Sequence, residues 1–180
     1  MSFNLQGRLP YVLIVAGTLV LDRWTKALIL NRFGLNESTS VIDGLFNITY
    51  VQNTGVAFGI FSSIASPVKT LLLSVFTICA AAVVVTYSVR SSARNRLLQI
   101  SLALILGGAL GNLYDRITYG YVVDFIEIYV RTYHWPAFNV ADSAISIGVV
   151  LLALEIFRTE RDSAQPQDAE RKRDSAQPQK

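Results

Sequence analysis

The chain has 180 residues, of which 52% are hydrophobic and only 16% are charged, and its formal net charge is +3. Soluble domains typically carry about 25% charged residues, so this composition favours a membrane protein. The single cysteine and single histidine exclude an internal disulfide framework and sites built from several Cys or His ligands. Outside the C-terminal tail no run of basic residues is interleaved with aromatics, which argues against a nucleic-acid partner. We expect neither a metal nor another cofactor.

Four stretches meet or nearly meet the length of about 20 mostly apolar residues that a membrane-spanning helix needs. They cover residues 9–30, 67–89, 97–114 and 138–157. The sequence therefore predicts an all-α polytopic membrane protein with four transmembrane helices, and residues 1–157 are expected to form one membrane domain.

Basic residues mark one side of the predicted membrane domain. The short connection between the second and third spans contains three arginines, and further basic residues follow the fourth span, whereas the two long connections contain few. The positive-inside rule then places both termini in the cytoplasm and both long connections outside.

The two outer connections differ in pattern. Residues 41–61 are dense in β-branched and aromatic residues and partly alternate with polar ones, which predicts a small β-sheet on the outer membrane surface. Residues 119–133 mix apolar, aromatic and acidic side chains, which predicts a short interfacial element.

The C-terminal segment, residues 158–180, is polar and repetitive. The heptapeptide RDSAQPQ occurs twice, at residues 161–167 and 173–179. This composition predicts a disordered cytoplasmic tail.

Ionisable groups inside spans each cost about 2.5–3.5 kcal/mol at the bilayer centre and are therefore candidates for function. In the first span, Asp22 and Lys26 lie one helical turn apart, where they can form an internal ion pair. A purely structural pair and a contact to substrate are equally compatible with this spacing.

Polar residues from three segments are predicted to meet at the outer membrane–water interface. The third span ends, the fourth begins, and the connection between them passes at this depth; the residues concerned are Asn112, Asp115, Arg116, Asp124, Asn139 and Asp142. Two aspartates close enough to share a proton can act as base and acid, so Asp124 and Asp142 form a candidate catalytic pair. The alternatives are residues that cap helix ends and line a polar vestibule, a small proton- or cation-coupled transporter, and a scaffold subunit without catalysis.

Five motifs in this order resemble the bacterial lipoprotein signal peptidases, also called type II signal peptidases. They are DRWTK (22–26), NTGVAFGIF (53–61), GGALGNLYDR (107–116), VVDF (122–125) and FNVADS (138–143). The resemblance implies an intramembrane aspartyl endopeptidase that cuts prolipoproteins just before a diacylglyceryl-modified cysteine. It implies that Asp124 and Asp142 are catalytic.

The resemblance also assigns supporting and substrate-binding positions, namely Asp22, Lys26, Asn53, Gly55, Asn112, Asp115, Arg116 and Asn139. Under this interpretation the outer sheet holds the extended substrate by backbone pairing, with Asn53 and Gly55 near the scissile bond. The resemblance also implies a location in the bacterial cytoplasmic (inner) membrane, with the small β-sheet on its periplasmic side. The expected partners are lipid-modified prolipoproteins and membrane lipids, and the expected state is a monomer.

Overall fold

A computed structural model describes residues 5–55 and 66–175 of the chain, as four helices and four strands. In chain order they are α1 (Leu5–Arg32), β1 (Ser38–Ile42), β2 (Phe46–Asn53), α2 (Ser66–Arg90), α3 (Arg96–Tyr119), β3 (Val122–Val130), β4 (Tyr133–His134) and α4 (Val140–Ser175). The last residues of the predicted outer sheet, 56–61, lie outside the described residues.

Three helical segments among the described residues are long and apolar enough to cross a membrane. They are Pro67–Arg90, Arg96–Tyr119 and Val140–Thr159, close to the predicted second, third and fourth spans. Helix α1 is not among them. It contains Asp22, Arg23 and Lys26, and both Asp22 and Lys26 are completely buried against the other helices.

Helix α3 is the centre of the bundle and packs against the other three helices. Glycines permit this close approach. A Cβ atom at Gly107 would lie 2.7 Å from the Thr18 Cβ of α1, and one at Gly108 would lie 2.3 Å from the Ala141 carbonyl oxygen of α4. The predicted small-residue face of Gly107 and Gly111 therefore contacts α1, where a Cβ at Gly111 would meet the Asp22 carboxylate.

The four strands form one antiparallel sheet in the order β1-β2-β3-β4. The prediction of a separate interfacial element for residues 119–133 was wrong, because this segment supplies β3 and β4. Its apolar, β-branched and aromatic residues pair with the edge of β2 that β1 leaves free, with Val51 opposite Asp124 and Asn53 opposite Val122.

A small apolar core joins the sheet to the helices. It consists of Ile29 from α1, Tyr50 from β2, and Val123 and Phe125 from β3. Because Val123 and Phe125 flank Asp124, this core holds the intervening carboxylate against the end of the bundle.

Helix α4 is longer than expected, since its backbone continues to Ser175. The sequence predicts a disordered tail from residue 158; residues 158–175 contain several Arg, Glu, Ala and Gln residues, which favour helix, together with one proline, Pro166. The apolar part of the helix ends at Thr159, so the continuation is polar.

Candidate functional site

Asp124 lies in β3 and is 1% exposed. Its two carboxylate oxygens accept hydrogen bonds from different elements: Asn53 at the end of β2 donates at 2.9 Å, and Asn139 before α4 donates at 2.7 Å. The strand register explains the first bond. Val51 is opposite Asp124, and Asn53 lies two residues further along β2, so its side chain is on the same face of the sheet as that of Asp124.

Asp142 lies in the first turn of α4 and is half-buried. Asn139 precedes this helix and caps it: the Asn139 side-chain oxygen accepts from the Asp142 backbone N–H at 2.9 Å, and the Asp142 carboxylate accepts from the Asn139 backbone N–H at 3.3 Å. This reciprocal pattern resembles a capping box. The carboxylate also benefits from the positive end of the helix dipole.

Two amide side chains connect the candidate catalytic carboxylates. Asn112 of α3 donates to Asp142 at 2.7 Å, and its oxygen accepts from Asn139 at 3.2 Å. Asn139 in turn donates to Asp124, so the chain of hydrogen bonds runs Asp124–Asn139–Asn112–Asp142. The predicted convergence of these residues from α3, β3 and α4 is therefore observed.

The environment of Asp124 favours a bound proton. Burial raises the pKa of Asp124 to about 7, and the nearby Asp142 carboxylate adds to this effect, while the hydrogen bonds from Asn53 and Asn139 oppose it. One carboxyl of a pair can thus stay protonated near neutral pH, which is the state that acid–base catalysis requires.

Lys26 is the centre of a second buried cluster beside the carboxylate pair. Its ammonium group lies 2.9 Å from Asp22, 2.8 Å from Asp115 and 3.0 Å from the Asn112 side-chain oxygen. The predicted Asp22–Lys26 ion pair is present, but it is part of a larger network. The network reaches the sheet and α4, since Asp115 accepts from the Val123 N–H at 3.1 Å and Asp22 accepts from the Ala141 N–H at 3.0 Å.

The sequence analysis missed Arg23, which forms an ion pair with Asp115. Its guanidinium also lies 4.2 Å from the centre of the Tyr114 ring. The available signal was a third charged residue between Asp22 and Lys26 in an otherwise apolar helix. Arg23 therefore supplies a second cation, besides Lys26, for the buried Asp115.

Two predicted positions lie at the margin of the site. Arg116 is within electrostatic range of Asp142 and Asp124. Its guanidinium donates to the Asn112 carbonyl at 3.5 Å. Gly55 follows β2 with a φ of +84°, and its N–H donates to the Asn53 side chain at 2.8 Å. A Cβ there would lie 2.3 Å from Leu73 Cδ1, so both backbone conformation and space favour glycine.

Within the described residues no group of three or more His, Cys, Asp or Glu side chains is arranged to hold a metal ion. The polar centre consists of carboxylates, carboxamides and buried cations at one end of an apolar helical bundle. These features define a membrane-embedded protein with a buried polar site next to a small sheet.

Comparisons with known proteins agree with this class. The family model for signal peptidase (SPase) II matches residues 14–158. A lipoprotein signal peptidase of Syntrophus aciditrophicus is 43% identical over 153 residues, covering 84% of this chain and 95% of the relative. The lipoprotein signal peptidase of Geobacter sulfurreducens is 46% identical over 151 residues, covering 84% of this chain and 93% of the relative.

Solved structures of bacterial membrane enzymes have the same fold. One is 33% identical with a TM-score of 0.73, covering 82% of this chain and 92% of the solved chain. A second is 31% identical with a TM-score of 0.75, covering 87% and 90%. The chain belongs to the signal peptidase II family, and it is a membrane peptidase.

Proposed function

We propose that this protein is an aspartyl endopeptidase that removes signal peptides from diacylglyceryl-modified prolipoproteins, cutting before the lipidated cysteine. Family membership and the names of the relatives support the substrate class. The observation that carries the proposed chemistry is the pair Asp124 and Asp142, held together through Asn139 and Asn112.

The proposed reaction uses the pair with one proton between them. The ionised carboxylate removes a proton from a water molecule, whose oxygen attacks the scissile carbonyl carbon, while the protonated carboxyl donates to the carbonyl oxygen. The tetrahedral intermediate then collapses: the C–N bond breaks, and a proton passes to the leaving amine of the lipidated cysteine. A pKa of about 7 for Asp124 supports retention of the shared proton near neutral pH.

The surrounding residues act as positioning residues in this proposal. Asn112 and Asn139 hold the two carboxylates in place. Lys26 compensates the charges of Asp22 and Asp115, and these two acids accept hydrogen bonds from the backbone of α4 and β3 beside the pair. Arg116 supplies positive charge near the pair.

The end of β2 is the proposed binding site for the extended substrate segment. Strand β1 pairs with β2 as far as Thr49, and the preceding segment bonds to Tyr50. Beyond that point, among the described residues, no strand covers this edge at residues 51–53. A peptide paired there by main-chain hydrogen bonds would lie beside Asn53, which contacts Asp124.

We further propose that α1 is the fourth span and that the protein lies in the bacterial cytoplasmic (inner) membrane with both termini in the cytoplasm. The charges of Asp22 and Lys26 do not oppose insertion of α1, because both side chains are buried in the bundle. Arg90, Arg94 and Arg96 are exposed at the end opposite the carboxylates, which supports a cytoplasmic position for that end. The site then lies at the outer interface, where a substrate can keep its acyl chains in the bilayer.

The test is cleavage of a diacylglyceryl-modified prolipoprotein by purified protein, followed by gel shift, with chelator present and no added metal. Asp124→Asn and Asp142→Asn should each reduce the rate by about 100-fold or more, the usual effect of removing a catalytic acid or base. Glu127→Gln is the matched control. It also neutralises a carboxylate of β3 that accepts from an asparagine of β2, but it leaves the pair intact.

Near wild-type turnover in either aspartate variant would contradict the assignment of the pair. Absence of cleavage by a well-folded wild type, together with proton flux in liposomes that Asp22→Asn abolishes, would favour a transporter. Substitutions that change only assembly with a stoichiometric partner would favour a scaffold subunit.

A further inference from the structure

A second polar feature lies at the opposite end of the bundle from the carboxylates. A cavity of about 540 Å³ opens between the beginning of α1 and the beginning of α3. Three arginines line it: Arg8 from α1, Arg94 from the connection between α2 and α3, and Arg96 from the first turn of α3. The proposed peptidase reaction does not use any of them.

Arg8 has a structural role in this cavity. Its guanidinium donates to the carbonyls of Ser88 and Val89 at 2.8 Å and to that of Ser91 at 3.1 Å. These carbonyls lie at the C-terminal end of α2 or directly after it, where carbonyl groups have no N–H partner within the helix. Arg8 therefore connects the beginning of α1 to the end of α2, and its side chain forms part of the cavity wall.

Arg94 and Arg96 differ from Arg8 because both are exposed. Among the residues that the structure describes, neither guanidinium has a hydrogen-bond or ion-pair partner. An arginine stays charged at any physiological pH and presents a planar set of donors that matches phosphate oxygens. The cavity thus presents two cations that are available to an anion.

The backbone that carries these two arginines is held in place. Asn95, between them, caps α3 by accepting from the Leu98 N–H at 3.2 Å, and it donates to Glu155 of α4 at 2.7 Å. Gln99 donates to the Ser88 and Ser92 carbonyls at 3.2 and 3.3 Å. Because the connection is already ordered, binding an anion there costs little additional backbone entropy.

The remaining wall of the cavity is apolar. Pro10 and Ile14 of α1 and Ile100 of α3 line it, and Pro10 and Ile100 are exposed on the outside of the bundle. A second apolar groove of about 310 Å³ between α1 and α2 shares Arg8 and Tyr11 with it. In a membrane these surfaces face acyl chains, so the ligand that fits both walls has an anionic head and hydrocarbon tails.

We infer that this cavity binds an anionic phospholipid, whose phosphodiester contacts Arg94 and Arg96 and whose acyl chains pack on the Pro10–Ile14–Ile100 wall. Basic pockets between transmembrane helices at a membrane surface are typical sites for anionic headgroups. This inference depends on the membrane location of the helices and not on the catalytic roles proposed above, so the two can fail separately.

The test is titration of purified full-length protein in neutral detergent with phosphatidylglycerol, with bound lipid counted by native mass spectrometry. Each arginine near a membrane surface contributes about 1 kcal/mol, which is about a fivefold change in affinity. The double variant Arg94→Gln/Arg96→Gln should therefore bind phosphatidylglycerol about 25-fold more weakly than the wild type. Phosphatidylcholine with the same acyl chains should bind weakly to both.

The control is Arg90→Gln/Arg161→Gln, which removes the same charge from exposed arginines outside the cavity lining. Its affinity for phosphatidylglycerol should stay within about twofold of the wild type. Equal losses in the two double variants would overturn the site in favour of general attraction between charges. Equal binding of phosphatidylcholine, or of glycerol 3-phosphate without acyl chains, would overturn the lipid assignment.

Discussion

The hydrogen bond from Asn53 to Asp124 offers a direct test of the electrostatics of the site. Asn53→Ala removes a donor that lies 2.9 Å from the Asp124 carboxylate and that lowers the pKa of this group. In the proposed mechanism, activity falls at alkaline pH when the pair loses its shared proton, at a pKa of about 7. Because the lost bond favoured the ionised form, its removal raises this pKa and moves the alkaline limb of the pH–rate profile to higher pH.

The size of the shift follows from the strength of the bond. A hydrogen bond to a charged group contributes about 1.5–3 kcal/mol, and about 1.4 kcal/mol corresponds to one pH unit. Asn53 is exposed, so water can replace part of its contribution. The expected shift is therefore about one pH unit, at the lower end of that range.

The assay is kcat/KM for cleavage of a lipid-modified prolipoprotein, measured from about pH 5 to about pH 9, because this parameter reports the ionisation of the free enzyme. Asn53→Asp should shift the alkaline limb further than Asn53→Ala, since it replaces the donor by a second carboxyl group. The matched control is Asn47→Ala. Asn47 also lies in β2 and donates at 2.7 Å to a carboxylate of β3, but that carboxylate is Glu127.

The reasoning would be refuted by an alkaline limb that stays in place or moves to lower pH in Asn53→Ala. A shift of equal size in Asn47→Ala would also refute it, because the effect would then reflect a general weakening of the sheet.

Two further substitutions test the packing of the bundle. Gly108→Ala should lower the free energy of unfolding in detergent by about 1–3 kcal/mol, because the added Cβ would lie 2.3 Å from the Ala141 carbonyl oxygen. The control is Gly17→Ala, where the added Cβ has no atom within 4 Å, so the free energy of unfolding should stay the same or rise slightly. Lys26→Met should lower the free energy of unfolding by about 3–5 kcal/mol, because the buried carboxylates of Asp22 and Asp115 lose the cation that they share. A thermal-unfolding midpoint equal to that of the wild type would contradict this stabilising role of Lys26.

Local patterns in the sequence were sufficient to predict much of this molecule. Apolar composition over about 20 residues located α2, α3 and the apolar part of α4. Helical spacing predicted the Asp22–Lys26 pair and the small-residue face of Gly107 and Gly111, both of which are present. These features depend on residues within one or two helical turns, so a single stretch of sequence contains the information.

The polar site contains both predictable and unpredictable parts. The expected depth of each polar residue in the membrane indicated that Asn112, Asp124, Asn139 and Asp142 would meet, and these four form the observed chain of hydrogen bonds. The order of that chain was not predictable, because an asparagine amide can face several partners at the same depth. The charge of Arg23 in an apolar helix was visible in the sequence, but its partner Asp115 lies on another helix and follows only from the packing of α1 against α3.

Only the tertiary structure determined which segments meet across long distances in the chain. Asn53 and Asp124 are 71 positions apart, and the Ala141 N–H that bonds to Asp22 is 119 positions away. Strand β3 was predicted as a separate interfacial element because its pairing depends on the free edge of β2 rather than on its own residues. Burial of the carboxylates likewise depends on how closely α3 approaches α1 and α4. Membrane insertion and helix formation are therefore encoded locally, whereas the register, the partners and the raised pKa of Asp124 follow from packing between distant segments.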